Sequence, residues 1–109
     1  MERINYATGS VVTGDEIAHA LVGYASALAQ GGGSDTVTFP ILLDTGEVEQ
    51  AEILIGPASQ MITVPEHTSH DELRDAGLVD ELDRKRQALS RPHGGPIELD
   101  DVVNDPDEL

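Results

Sequence analysis

The stretch from Thr13 to Gly33, TGDEIAHALVGYASALAQGGG, is the feature that most limits what this chain can fold into. Its apolar residues recur at steps of three and four, which is the period of a helix with one buried face. Thr13 and Glu16 have the spacing of a capping box at a helix N-terminus, and three consecutive glycines end the stretch. The pattern predicts an amphipathic helix over about 14–30, which needs an apolar surface to cover.

That surface is predicted to be an antiparallel sheet. Two runs within 37–55 alternate apolar and polar residues on either side of a turn at Gly46, as a β-hairpin does. A five-residue loop over 44–48 brings the apolar side chains of both strands to one face, and a three-residue loop also restores this alternation, less completely. Pro40 cannot donate a ladder hydrogen bond, which favours an edge strand or a bulge there.

The stretch LIGPASQMITVP, residues 54–65, has two interpretations. Ser59 and Gln60 could belong to a catalytic loop or to a turn between strands. A nucleophilic serine on a sharp elbow stands between a strand and a helix as Gly-x-Ser-x-Gly, whereas here a strand-like run follows. The pattern favours a turn within a three-strand meander over 37–64, and it leaves Ser59 and Gln60 as candidate binding residues.

The remaining segments complete an α+β prediction. One or two short strands are expected within 3–12. A second capping box from Ser69 to Glu72 and a phase change at Gly77 predict a short helix at 70–76 and another at about 78–90. The expected fold is a small antiparallel sheet, made of the meander and an N-terminal strand, packed against the amphipathic helix with C-terminal helices beside it.

The composition changes after residue 90. Residues 1–90 are expected to form a single α+β domain and 91–109 a flexible acidic tail, because four aliphatic residues bury too little surface to offset the entropy of ordering the tail. Removing 92–109 is therefore expected to leave the melting temperature nearly unchanged. Binding to a basic partner should weaken in a salt-dependent way.

Charge narrows the class of partner. Twenty-one acidic residues against six basic ones give a net charge of −15. Such a surface repels nucleic-acid phosphates and anionic membranes, so neither is an expected partner, whereas a basic protein is favoured. Without cysteine, thiolate chemistry is excluded. No secretory signal and no apolar run of about 18 residues is visible, so a cytoplasmic location is expected.

Histidines and carboxylates suggest one candidate metal site. In EHTSHDE, residues 66–72, the side chains of His67, His70 and Asp71 could converge on a divalent cation. The positive end of the helix predicted to begin there argues against a cation. His19, three residues after Glu16, falls on the predicted solvent face of the first helix and lacks the further ligands that a carboxylate-bridged metal site needs.

Three functional hypotheses follow, and no cofactor is expected. The favoured one is a non-enzymatic protein-interaction module, which could form a homodimer through the strand edge bearing Pro40 or through Gly23 and Ser26 of the first helix. An alternative is a small metal-binding protein or enzyme that uses the histidine and aspartate cluster within 66–72. Another is an acidic mimic of nucleic acid. The absence of a catalytic motif favours the first.

Overall fold

A computed structural model of the protein describes residues 1–90, so the predictions made for the tail at 91–109 lie outside the described residues. The elements run in the order β1 (Glu2–Tyr6), β2 (Gly9–Thr13), α1 (Asp15–Gly31), β3 (Asp35–Leu42), β4 (Val48–Ile55), β5 (Ile62–Pro65) and α2 (Ala76–Ser90). Neither helix within these residues is long and apolar enough to cross a membrane.

The five strands form one antiparallel sheet in the order β4-β3-β2-β1-β5. The predicted α+β class is confirmed, but the strand order differs from a meander over 37–64. β5 pairs with β1, with Ile62 opposite Asn5 and Pro65 opposite Glu2. The hairpin of β1 and β2 leaves the outer side of β1 unpaired, and the connection at 56–61 carries the chain across to it.

The β3–β4 hairpin has a three-residue loop. The N–H of Leu43 donates to the carbonyl of Glu47 at 2.8 Å, and the N–H of Gly46 donates to the carbonyl of Leu43 at 2.9 Å. Phe39 therefore lies opposite Ala51. The preferred five-residue loop is wrong, because Gly46 adopts a φ of 89° and closes a tighter turn, so that Glu47 and Val48 pair with β3 instead of belonging to the loop.

Pro40 lies on an inner strand, so the expectation of an edge is wrong for β3. The reason is that the pairing of β2 with β3 is limited to Val12 and Leu42. Pro40 therefore lies beyond the ladder, and its carbonyl accepts a hydrogen bond from the hydroxyl of Thr13 at 2.7 Å. The missing N–H of proline costs the sheet no hydrogen bond at this position.

Helix α1 covers one face of the sheet and supplies most of the core. Its bounds differ by one residue at each end from the predicted 14–30. The largest apolar side chains that are fully buried come from the sheet and from both helices: they are Phe39, Ile4, Ile17, Leu21, Ile55 and Leu82. Nearly all of this core is aliphatic, and both helices contribute to it, α2 through Leu82.

The ends of α1 are capped differently from the prediction. Gly14 is the N-cap and makes no side-chain cap hydrogen bond. The capping box fails because the hydroxyl of Thr13 donates to Pro40 instead, while the N–H of Asp15 donates to the carboxylate of Glu72 at 2.5 Å. At the other end Gly32 has a φ of 71°, as in a left-handed helix cap.

The segment before α2 is not helical, so the short helix predicted at 70–76 is wrong. Glu72 reaches the start of α1 and the N-terminus rather than closing a capping box with Ser69. α2 begins at Ala76, two residues before the predicted start, and the carboxylate of Asp75 caps it by accepting the N–H of Leu78 at 3.1 Å.

The two helices run in the same direction. Arg74, just before α2, lies 3.7 Å from Glu16 near the start of α1. Further along, the side chain of Arg86 lies against Gly23. The small-residue face of α1 that was considered for self-association is therefore covered in part by α2.

Candidate binding groove

A groove of about 690 Å³ lies where three parts of the sheet meet. They are the end of β1 with its turn, the end of β4, and the connection from β4 into β5. Both edge strands of the sheet therefore contribute to one groove. The residues that line it are Asn5, Tyr6, Ala7, Ile53, Leu54, Ile55, Ala58, Ser59, Gln60, Met61 and Ile62.

The groove presents apolar side chains to solvent. Leu54 is 68% exposed, Ile62 is 67% exposed and Tyr6 is 39% exposed, although burying a side chain of this size contributes about 1.5–3 kcal/mol. None of the lining residues carries a charge. Single exposed apolar residues are ordinary on a protein surface, but a cluster of them around one concavity marks a candidate binding site.

Ser59 and Gln60 both line this groove, and both are exposed. The hydroxyl of Ser59 accepts a hydrogen bond from the N–H of Gly56 at 2.9 Å, and the N–H of Ser59 donates to the carbonyl of Gly56 at 3.1 Å. These bonds close a turn over 56–59. Among residues 1–90 no histidine or carboxylate hydrogen-bonds to Ser59, so the geometry is that of a turn residue rather than an activated nucleophile.

His67, His70 and Asp71 are exposed on the segment between β5 and α2. Within the described part of the chain, no three histidine, aspartate or glutamate side chains are placed to hold a metal ion together. The ring of His70 lies against Gly46 in the β3–β4 turn. Because this segment is irregular rather than helical, its three side chains are not brought together, and the metal site stays a prediction without geometric support.

Glu16 and His19 lie in a second, shallow groove of about 430 Å³ between the two helices, together with Asp80 and Asp83 of α2. His19 is exposed, as the helical pattern indicates. Although acidic, this groove does not place three of its side chains as a metal site in residues 1–90. It is a solvent-exposed surface where α1 and α2 meet.

A polar cluster connects both helices to the start of β3, next to the binding groove. The hydroxyl of Tyr24 donates to Asp35 at 2.6 Å, and the ammonium of Lys85 lies 3.5 Å from the same carboxylate oxygen. Burial, together with this hydrogen bond, raises the pKa of Tyr24 to about 12. The Tyr24 hydrogen bond lowers the pKa of Asp35. Since Asp35 pairs with Ile55, the cluster holds one wall of the groove in place.

The opposite wall is held by contacts between β1 and the strand β5. The guanidinium of Arg3 donates to both carboxylate oxygens of Glu66, at 3.1 and 3.0 Å, and lowers the pKa of that carboxyl. The side-chain amide of Asn5 donates to the carbonyl of Ile62 at 3.3 Å. These contacts fix both ends of β5, so the groove is built between two supported walls.

Ser59 and Gln60, the predicted candidate binding residues, line this groove, whereas Tyr6, Leu54 and Ile62 were not among the predicted candidates. One signal was available: the side chain of Leu54 points away from those of partly buried Ile53 and buried Ile55, on the side of the strand where a polar residue is expected. Comparison with protein families, with curated proteins and with solved structures finds no match for this chain. The case for the groove as a site therefore depends on its own geometry and chemistry.

Proposed function

We propose that this protein is a non-enzymatic protein-interaction module that binds an extended peptide segment with apolar side chains. The observation that carries the proposal is the exposure of Tyr6, Leu54 and Ile62 around one uncharged groove. Covering these side chains would remove apolar area from water, which is the main favourable term in most protein associations. Ser59 and Gln60 at the same groove offer hydrogen-bonding groups that could orient the peptide.

The charge near the groove favours a peptide with basic flanks. Glu52 lies on β4 just before the groove residues Ile53 and Leu54, and Glu49 and Glu47 lie further along the same hairpin toward its turn; all three are exposed. Between Arg3 and Arg74 the chain contains no lysine or arginine. Lysine or arginine residues on either side of the apolar segment would meet this negative potential, which would raise the association rate and favour the correct partner.

The lining itself supports binding rather than catalysis. It contains no histidine, aspartate, glutamate or lysine, which are common general acids and bases in enzymes, and Tyr6 is its one side chain of a type that can transfer protons. The hydroxyl of its one serine, Ser59, accepts a hydrogen bond within a turn. The remaining groups can accept or donate hydrogen bonds and pack against apolar side chains, and these are the contacts that recognition of a peptide needs.

The test uses short synthetic peptides with alternating apolar residues, flanked by lysine in one series and by glutamate in another. Binding is followed through the amide signals of the isotopically labelled full chain. We expect the lysine-flanked peptides to shift the signals of Tyr6, Leu54 and Ile62, and added salt to weaken the binding. If neither series perturbs the groove, the proposal is wrong; if both bind equally, the argument from charge is wrong.

A matched pair of variants locates the binding. Leu54→Gln changes the groove, and Leu89→Gln makes the same substitution at an exposed leucine on α2 that is 44% exposed. We expect Leu54→Gln to weaken peptide binding about tenfold, which corresponds to about 1.4 kcal/mol, and Leu89→Gln to leave it unchanged. Equal effects of the two substitutions would place the peptide outside the groove.

A further inference from the structure

The sheet has two edges, and they differ in how well they are protected from pairing. β5 has four residues and ends at Pro65, and short strands and proline both discourage the addition of another strand. β4 has eight residues without proline. Among the described strands it pairs with β3 alone, so its outer side presents a long row of backbone donors and acceptors.

The register with β3 decides which residues of β4 face outward. Leu43 donates to Glu47 across the hairpin, and hydrogen-bonded pairs alternate with non-hydrogen-bonded pairs along an antiparallel ladder. The odd-numbered residues of β4 therefore bond to β3, and the even-numbered residues direct their N–H and C=O groups to the free edge. Two of these, Val48 and Leu54, carry apolar side chains that are 51% and 68% exposed.

We propose that the free edge of β4 pairs with β4 of a second copy of this chain, antiparallel and centred on Ala51, so that the two five-stranded sheets become one. In this register Val48 lies opposite the second copy's Leu54, and Gln50 lies opposite the second copy's Glu52. Two-fold symmetry makes each of these contacts twice. The inference goes beyond the peptide-binding function and does not depend on it; because both surfaces include Leu54, the tests of the dimer use other residues.

The neighbouring registers are less favourable. Centring the pair on Glu52 places two glutamates directly opposite each other, and like charges at that position are destabilising. Centring it on Gln50 places Val48 opposite the second copy's Glu52 and Leu54 opposite the second copy's Gly46. Of these three registers, the one centred on Ala51 alone matches Val48 with Leu54 and Glu52 with Gln50, although on the other face it sets Glu49 opposite the second copy's Ile53. This self-complementarity is why the occupant is a second copy.

Net charge opposes the dimer and gives it a recognisable salt dependence. Each copy carries −15, so association brings together two acidic surfaces, and screening by salt should strengthen it. The proposed basic-flanked peptide should respond in the opposite sense. The effect of salt therefore distinguishes dimerisation, which it should strengthen, from peptide binding, which it should weaken. Either proposal can fail while the other holds.

The register is tested by disulfide cross-linking, because the chain contains no cysteine. In the proposed register Ala51 faces its own counterpart in a non-hydrogen-bonded pair, with Cα atoms about 4.5 Å apart, a separation that a disulfide spans. We expect full-length Ala51→Cys to form a covalent dimer under mild oxidation, well above Gln50→Cys and Glu52→Cys. Ala88→Cys, at an exposed position on α2, gives the background from random collision.

Each outcome of the cross-linking bears on the proposal. If Gln50→Cys or Glu52→Cys gives the highest yield of covalent dimer, the register centred on Ala51 is wrong. If Ala51→Cys gives no more covalent dimer than Ala88→Cys, the pairing of the two β4 strands is wrong. Circular dichroism of each variant shows whether it is folded. If a cysteine variant fails to fold, sedimentation of the unmodified chain takes the place of the cross-linking experiment. That chain must then show a dimer for the proposal to stand.

Sedimentation velocity over a range of concentrations provides the second measurement. We expect the full-length chain to shift from monomer to dimer as concentration and sodium chloride increase. Val48→Asp, which lies outside the groove lining, should raise the dissociation constant at least about tenfold, which corresponds to about 1.4 kcal/mol. Val22→Asp makes the same substitution on the exposed side of α1 and should have no effect. A strict monomer, or equal effects of the two variants, would overturn the proposal.

Discussion

Gly14 lies against the backbone carbonyl of Leu73 so closely that a Cβ atom at Gly14 would collide with it. The backbone of Gly14 has a φ of −68° and a ψ of 154°, which any residue can adopt. Its small size, rather than its conformational freedom, is therefore what the fold requires. At this point the irregular segment between β5 and α2 crosses the start of α1.

We predict that Gly14→Ala destabilises the protein severely. The neighbour that must move is backbone, which cannot rotate away as a side chain can. We expect a loss of about 3 kcal/mol, the upper part of the range for overpacking, and a fall in the melting temperature of more than about 10 °C. Gly31→Ala is the control, since nothing lies near its Cβ position. A Gly14→Ala melting temperature within a degree or two of the wild type would contradict the contact.

Glu72 holds the same crossing together, and its replacement gives the second prediction. One of its carboxylate oxygens lies 2.9 Å from the amino group of Met1, and the other accepts the N–H of Asp15. We expect Glu72→Gln to lower the free energy of unfolding by about 1–2 kcal/mol, because it weakens a charge-assisted contact and a helix cap together. Urea unfolding measures the loss.

Asp71→Asn is the matched control for Glu72→Gln. It removes the same charge from the adjacent residue, which is exposed. We expect its free energy of unfolding to stay within about 0.5 kcal/mol of the wild type, as for most surface substitutions. Equal losses in the two variants would attribute the effect to net charge rather than to the contacts of Glu72.

The parts of the fold that the sequence predicts well are those set by neighbouring residues. The helix α1 follows from a periodic pattern and a glycine stop, and the turn at Gly46 follows from a residue that tolerates positive φ. Glu72 was assigned to a local capping box, yet it binds Met1 and Asp15, which are far away in the chain. A local pattern cannot show that a distant partner will compete for the same carboxylate.

The same limit applies to the candidate site. Ser59 and Gln60 follow from a local turn signal at Gly56, but Tyr6 and Ile62 meet only because β5 pairs with β1 instead of β4. Nothing in either segment alone indicates that pairing. Whether β5 pairs with β1 or with β4 depends on which strand edges are still unpaired once the other strands have assembled. That is a property of the whole sheet and not of any one segment.

The carboxylate of Asp35 gives a prediction for acid conditions. Its pKa is lowered, chiefly by the hydrogen bond from Tyr24 and further by the N–H of Thr36 and by Lys85. A group with a lowered folded-state pKa stabilises the fold above its unfolded pKa, near 3.9, and loses that contribution as the pH falls through the folded value. We therefore expect Asp35→Asn to destabilise the protein at about pH 7 and to differ less from the wild type at about pH 3, below the unfolded pKa, where part of the contribution is lost.

Urea unfolding of both proteins at the two pH values checks this prediction. Comparing differences between variants removes the general effect of protonating the other acidic residues, which relieves repulsion in a chain of charge −15. Glu52→Gln, at an exposed position on β4, serves as a control for the loss of one negative charge. A destabilisation by Asp35→Asn that is the same at both pH values would show that ionisation of Asp35 is not what stabilises the cluster.

Tyr24 gives the complementary prediction at alkaline pH. Burial and the bond to Asp35 raise its pKa to about 12, so the neutral phenol is favoured in the folded state. Its contribution to stability is fully present below the unfolded pKa, near 10, and is lost as the pH rises through about 12.

The Tyr6→Phe variant leaves Tyr24 as the one tyrosine, and its ultraviolet absorbance then reports tyrosinate formation from that residue alone. We expect a midpoint near 12 while circular dichroism still shows a folded chain, falling to near 10 once urea unfolds it. A folded-state midpoint near 10 would mean that Tyr24 is neither buried nor bonded to Asp35 as described.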